Sequence, residues 1–292
     1  MTHSTKLQKT QKASWRFAAI GTSWSIETPD SLPEEVKTAV ARRIDAYDKT
    51  YSRFRDDSFV SLLRTPGTYT LPTDARPLLQ VYKELYVLTD SRMTPLIGAT
   101  LEAAGYDATY SFTQSPAQVV PPFSALGWDE GNSVTVTESV VLDVGAAGKG
   151  YLVDIVCEIL DSNEIREYTV DASGDIRTNG VIERVGLEHP GDPSKIIGVC
   201  SVQNESLCAS AINRRAWNGI HHVFDPQTLK PTNTLVASWV VSDSGLVADG
   251  LATALFFVSP SELAKKYAFE YVTLDVRGAI DVSPGFNGEL FV

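Results

Sequence analysis

The sequence predicts an α+β fold, a single domain of mixed β-sheets with packed helices. Three observations point there. Strand-like and helix-like patterns interleave without the strict alternation of a doubly wound parallel sheet. The 292 residues are 43% hydrophobic and 21% charged, an ordinary globular composition with enough chain to bury a large core. No internal repeat, low-complexity tract or Pro/Gly/Ser linker divides them. Residues 15–292 therefore read as one domain behind a disordered polar leader, residues 1–14.

Residues 15–28 are rich in β-branched and aromatic side chains and predict a strand pair or a bent strand. Ser31 and Glu34 have capping-box spacing before a helix whose Val36, Val40, Ile44 and Tyr47 recur at helical intervals. Pro77 is expected to open a second helix, with Leu78, Tyr82, Leu85 and Leu88 on one stripe. Strands are expected at 134–142, 167–172, 196–202, 235–242 and 271–275. A helix over 150–160 carries a broad apolar face. Residues 244–258 are apolar nearly all round and predict a buried helix. Ser259, Pro260 and Glu262 then supply the start signals of another.

Composition also excludes. Lys plus Arg is 25 and Asp plus Glu is 36, a net charge of −11 that repels a phosphate backbone, so no nucleic-acid partner is expected. No apolar run approaches the ~18 residues of a membrane span. The start of the chain is polar and lacks the apolar core of a secretory signal, which predicts a cytoplasmic protein. Cys157, Cys200 and Cys208 are odd in number and lack C-x-x-C spacing, supporting neither a disulfide framework nor a zinc site.

Four segments could carry chemistry. Asp143–Val156 (DVGAAGKGYLVDIV) reads as a strand end, a glycine-rich turn and a helix whose N-terminus and Lys149 could receive a phosphate. It is neither a P-loop nor G-x-G-x-x-G, and a plain strand-to-helix turn is the alternative. Asp249 and Thr253 stand at i and i+4, so their oxygens share one face of a greasy helix. Such hard oxygens suit Mg²⁺; a carboxylate bonded to backbone amides is the competing account. In GIHHVFDP (219–226), His222 could take a proton near neutral pH and Asp225 could orient it, or both could be ordinary strand and turn residues. In DASGDIRTNG (171–180), Asp175 beside Gly174 could bond a ligand, and Asn179-Gly180 signals a hairpin.

In order along the chain, DVGAAGKGYLVDIV, DASGDI, GLEHPGDP, ASAINRRAW, HHVFDP and ADGLATALF resemble the ApbE-like FAD:protein FMN transferase family. YSRFRDDSFVSLL (51–63) resembles its flavin-side segment and TPLIGATLEAAGYD (94–107) the one after it, so the similarity runs from about Ile20 to about Val258. The resemblance implies an ApbE-like flavin transferase fold. It also implies an Mg²⁺-dependent enzyme, with FAD as substrate, that joins FMN through a phosphoester to a Ser or Thr of a target flavoprotein and releases AMP. It assigns the metal to Asp249, Thr253 and the Gly148 carbonyl, and the base to His222. Lys149 and Asp175 fall where the family contacts FAD, with Gly148, Gly174 and Arg64 beside them.

The chain departs from the pattern at several places. Gly148 replaces the usual alanine, Leu229 a turn glycine, Ser210-Ala211-Ile212 a serine-glycine-aspartate, and Arg64 a common asparagine. The last change keeps open a metal-dependent FAD pyrophosphatase, with water as acceptor, and a non-catalytic flavin-binding protein is the third reading. Gly98-Ala99-Thr100 echoes the sequence that such enzymes modify and raises self-flavinylation at Thr100.

Overall fold

The structure, a computed structural model, describes residues 12–291. Seven α-helices lie in this range: α1 (Glu34–Tyr51), α2 (Phe59–Leu62), α3 (Ala75–Leu88), α4 (Gly98–Ala103), α5 (Gly148–Ser162), α6 (Gly245–Ala254) and α7 (Pro260–Leu263). The central sheet has eight strands: Ala13–Ala19, Thr22–Thr28, Tyr168–Asp171, Asp175–Asn179, Ser206–Ala211, Leu235–Ser242, Glu270–Asp275 and Ile280–Val282. Their order across the sheet is their order along the chain, and every neighbouring pair is antiparallel. The helices and the smaller sheets are therefore excursions between adjacent strands. Turns must alternate between the two ends of such a sheet. The turn at 20–21, the turn at 172–174 and the long excursion 212–234 thus share one end.

Both faces of the sheet are covered. Helices α5 and α6 pack on one face, and α1 and α3 pack behind them, around Val40, Leu85, Leu152, Val156 and Leu251. On the other face a three-stranded sheet (Ile182–Glu188, Ile196–Gln203, Gly288–Leu290) closes a second core around Leu187, Val202, Trp239 and Val272. Leu235–Ser242 shows why its sequence is almost continuously apolar. Ala237, Trp239 and Val241 enter the second core, whereas Val240 faces the helices. On that side Ser238 donates its hydroxyl proton to the Ala252 carbonyl, 2.6 Å away, which lets a polar side chain be buried.

Helices α5 and α6 cross at two glycines. A Cβ on Gly150 would lie 2.1 Å from the Gly245 carbonyl oxygen, and one on Gly245 would lie 2.5 Å from that of Gly150. Only bare backbones approach so closely. The approach brings the first turn of α5 against the start of α6, from Gly245 to Asp249.

Several local expectations need correction. The first strand begins at Ala13, so the leader cannot extend to residue 14; residues 1–11 lie outside the described residues. Pro33 is the N-cap of α1, with no side-chain cap bond, so the Ser31–Glu34 capping box does not form. Helix α3 starts at Ala75, and Pro77 sits inside its first turn, where no N–H is missed. Only Val134–Val136 of the 134–142 run pairs, in a strand that starts at Ser133; residues 137–142 leave the ladder. Helix α6 stops at Ala254, four residues early, and Ser259 gives α7 no side-chain cap. Asn179-Gly180 makes no hairpin, because Asp175–Asn179 and Ile182–Glu188 belong to different sheets. Among the described residues, no helix is long and apolar enough to cross a membrane.

Candidate active site

A cavity of about 930 Å³ opens at the sheet end defined by Gly21, Gly174 and the 212–234 excursion. That is large for a small-molecule site and suits a dinucleotide. Although the chain is strongly acidic, Arg53, Arg55, Arg92, Lys149, Arg214 and Arg215 line this cavity against Asp48, Asp143 and Asp249. The local field is thus the reverse of the molecular one and favours an anion.

Asp249 and Thr253 reach the cavity from one face of α6, and Gly148 and Lys149 reach it from the first turn of α5. Asp249 is 4% exposed, and its Oδ2 accepts from the Gly150 N–H at 3.0 Å. The glycine crossing sets this contact. The Thr253 hydroxyl is 3.0 Å from that of Ser210. Asp175 lies nearby with no exposure, and among the described residues its one salt-bridge partner is Lys149 Nζ, 3.5 Å from Oδ2. Burial raises the Asp175 carboxyl above the ordinary range; burial, then the nearby Asp175, raises that of Asp249. Two buried carboxylates therefore share Lys149, with Arg215 also acting on Asp249, and their raised carboxyls leave room for a further cation. Among the described residues no three His, Cys, Asp or Glu side chains gather as a metal set. A carboxylate, a hydroxyl and a backbone carbonyl fit a hard divalent ion that takes its other ligands from water and substrate phosphates.

The two adjacent histidines differ in what their nitrogens do. His221 is committed to backbone: Nε2 donates to the Thr232 carbonyl at 2.9 Å, and Nδ1 accepts from the Val223 N–H. His222 lines the cavity. Its Nδ1 is 3.3 Å from the Arg215 carbonyl, which can only accept, so Nδ1 carries the proton and Nε2 keeps its lone pair. Burial, with Arg215 second, pushes its pKa down to about 3, so the ring is neutral. Asp225 does not orient it. Its carboxylate accepts from the Gln227 N–H at 2.8 Å, an ordinary turn contact.

Three further expected site residues lie outside the cavity lining. Asp175 does not line the cavity; it sits behind Lys149 and bears on the cavity through that side chain and through its charge beside Asp249. Arg64 also stands outside the lining, because a two-pronged pair with Glu102 (2.6 and 3.2 Å) holds its head elsewhere. Thr100 is 2% exposed and bonded to the Gln118 carbonyl, so it cannot accept a flavin in the folded chain. Gly174 does line the cavity, with φ +104°, a conformation open to glycine. Leu229, in the place of a turn glycine, takes φ +56°, which is strained for a leucine.

Motif reading did not single out an aromatic and arginine wall. Tyr106 stacks on Trp217 at 5.5 Å, and Phe54 on Tyr110 at 5.5 Å and 9°. Arg53 lies over the Phe54 and Tyr106 rings at 4.2 and 4.9 Å and pairs with Asp143. Burial works to raise the Asp143 carboxyl, but Arg53 holds it below the usual range. Asp143 also accepts from the Gly145 N–H at 2.7 Å, which fixes the loop ahead of α5.

Comparison with known proteins agrees with this architecture. Residues 20–273 match the model of the ApbE family. The chain belongs to that family. An FAD:protein FMN transferase of Vibrio cholerae is 24% identical over 241 residues, covering 75% of this chain and 72% of the relative. One from Rhodobacter capsulatus is 27% identical over 261 residues, covering 82% of this chain and half of the relative. The crystal structure of the ApbE protein from Thermotoga maritima superposes with TM-score 0.82 at 22% identity, covering 94% of this chain and 97% of that one. The flavin transferase ApbE of Vibrio cholerae gives 0.79 at 20% identity, covering 95% and 98%. The α+β fold of the chain is thus the ApbE fold.

Proposed function

We infer that the chain transfers FMN from FAD to a hydroxyl of a protein acceptor, the activity in the names of its relatives. One observation carries the reading for this chain: Asp249, Thr253, Gly148, Lys149 and His222, contributed by three separate stretches of sequence, line one cation-rich cavity of dinucleotide size. Asp249, Thr253 and the Gly148 carbonyl would hold Mg²⁺ or a similar hard ion. Bound there, such an ion neutralises charge on the phosphates.

The chain's own residues supply the rest. Lys149 and the α5 N-terminus attract the diphosphate, and Asp175 holds Lys149 from behind. Nε2 of His222 takes the proton of the acceptor Ser or Thr hydroxyl. That oxygen forms a bond to the FMN-side phosphorus, the phosphoanhydride P–O bond breaks, and AMP leaves with the electron pair. A ring with so low a pKa is a weak base in the free protein. The two negative charges of a bound diphosphate would raise it towards the working range. The aromatic wall offers faces on which flat rings can stack.

Arg64, the substitution that favoured water as acceptor, is held outside the cavity lining by Glu102, so the hydrolase reading loses its motive. Incubation with FAD, Mg²⁺ and a candidate flavoprotein, followed by intact-mass measurement, tests the proposal. An FMN-sized gain on the acceptor supports it. Free FMN and AMP without an acceptor adduct would replace it with hydrolysis, and unchanged FAD with a carrier.

A further inference from the structure

Tyr47 was legible in the sequence only as one apolar position of the α1 stripe, and its ring is indeed 3% exposed. Its hydroxyl does something the stripe does not require. It donates to the carbonyl of Gly148, 2.8 Å away and 101 residues along the chain. The ring is fixed from two sides, by Tyr51 at 4.6 Å and edge-on by Tyr151 at 6.2 Å, so the hydroxyl has little freedom to turn elsewhere. A buried hydroxyl without a partner is costly, which keeps this bond in place whatever else approaches the carbonyl.

The same oxygen explains the glycine. A Cβ on residue 148 would lie 3.0 Å from the Tyr47 Oη and 3.0 Å from Val144 Cγ2. The first of these belongs to a ring packed against Tyr51 and Tyr151, which limits how it can give way. The tyrosine hydroxyl thus occupies room that the methyl of the family's usual alanine would need.

We propose that Tyr47 is a positioning residue for the metal side of the site: its phenol anchors the Gly148 carbonyl, and its oxygen crowds any side chain at 148. The proposal rests on the reading that this carbonyl, with Asp249 and Thr253, faces a divalent cation. Fixed by a donor on α1, the carbonyl keeps its direction while a cation draws on it, as a partner of a metal ligand ordinarily does.

The test uses the full chain, titrated with Mn²⁺ alone, in four forms: wild type, Tyr47→Phe, Gly148→Ala and the double variant. Folding is followed by circular dichroism and Tm. Tyr47→Phe should bind Mn²⁺ about three- to tenfold more weakly, the value of one hydrogen bond, while the dissociation constant for FAD measured without metal stays put. Gly148→Ala should lower both Tm and Mn²⁺ affinity. It should cost less when residue 47 is Phe, because the obstructing oxygen is gone. Unchanged Mn²⁺ affinity in Tyr47→Phe, or an equal cost of Gly148→Ala in both backgrounds, overturns the proposal. A wild type that binds no Mn²⁺ overturns the metal reading itself, and this proposal with it.

Discussion

Gly150→Ala is the substitution that most directly tests how the site is assembled. The added methyl would meet the Gly245 carbonyl oxygen at 2.1 Å, its carbon at 2.6 Å and the Asp249 Cβ at 2.7 Å. Ordinary contact needs roughly 3.4 Å or more, so α5 and α6 must part by over 1 Å. Backbone atoms cannot rotate aside as a side chain can, so the strain belongs at the upper end of the roughly 1–3 kcal/mol typical of overpacking. Alanine returns about 1 kcal/mol through helix propensity. A net loss of about 2 kcal/mol remains, equivalent to a Tm decrease of about 3 °C for a domain of this size. Parting the helices also stretches the 3.0 Å bond from Gly150 N–H to Asp249, so metal-induced stabilisation should fall together with Tm. Calorimetric scans with and without Mg²⁺ measure both. A variant that melts like wild type, or one destabilised yet still fully stabilised by Mg²⁺, would refute the argument that this crossing sets the metal side.

Further outcomes follow from the charges around that crossing. Asp249→Asn should abolish Mg²⁺-dependent FAD turnover while leaving the fold intact, checked by AMP release and circular dichroism. Metal affinity should rise with pH by up to about tenfold per unit until pH passes the elevated Asp249 pKa, because the ion competes with one proton; isothermal titration at several pH values measures this. Asp175 has a folded pKa above its unfolded one, so its ionisation costs the native state more as pH rises. Asp175→Asn should therefore raise the metal-free Tm at pH 8, with the gain vanishing near pH 4, and should weaken FAD binding by releasing Lys149. His222→Gln should lower kcat for transfer about 10²-fold or more while the dissociation constants for FAD and Mg²⁺ hold; an unchanged kcat would remove His222 from the proton step.

The parts of the molecule that were legible in the sequence are those governed by period and composition. The stripes of α1, α3 and α5 announce one buried face, and the apolar run of Leu235–Ser242 announces a strand covered on both sides. What escaped depends on partners far away in sequence. Asn179-Gly180 has hairpin chemistry, but a turn does not say which sheet receives the next strand. Asp175 and Asp225 look alike as turn carboxylates; one is sealed inside a strand and the other bonds its own turn. Gly150 looked like part of a ligand loop, and its necessity comes from Gly245. Arg53 and Tyr47 sat inside segments noted for other reasons, and only the folded chain reveals the rings and the carbonyl they address.

The sheet whose spatial sequence repeats its chain sequence has a consequence for how such an enzyme can change clients. Each detour leaves one strand and rejoins the next, so a detour can grow without rethreading any other part of the ladder. The entropic toll of a longer loop rises only with the logarithm of its length. Segment 212–234, one of the detours around the cavity mouth, can therefore be remodelled around His222 towards a new acceptor while the crossing of α5 and α6 stays as it is.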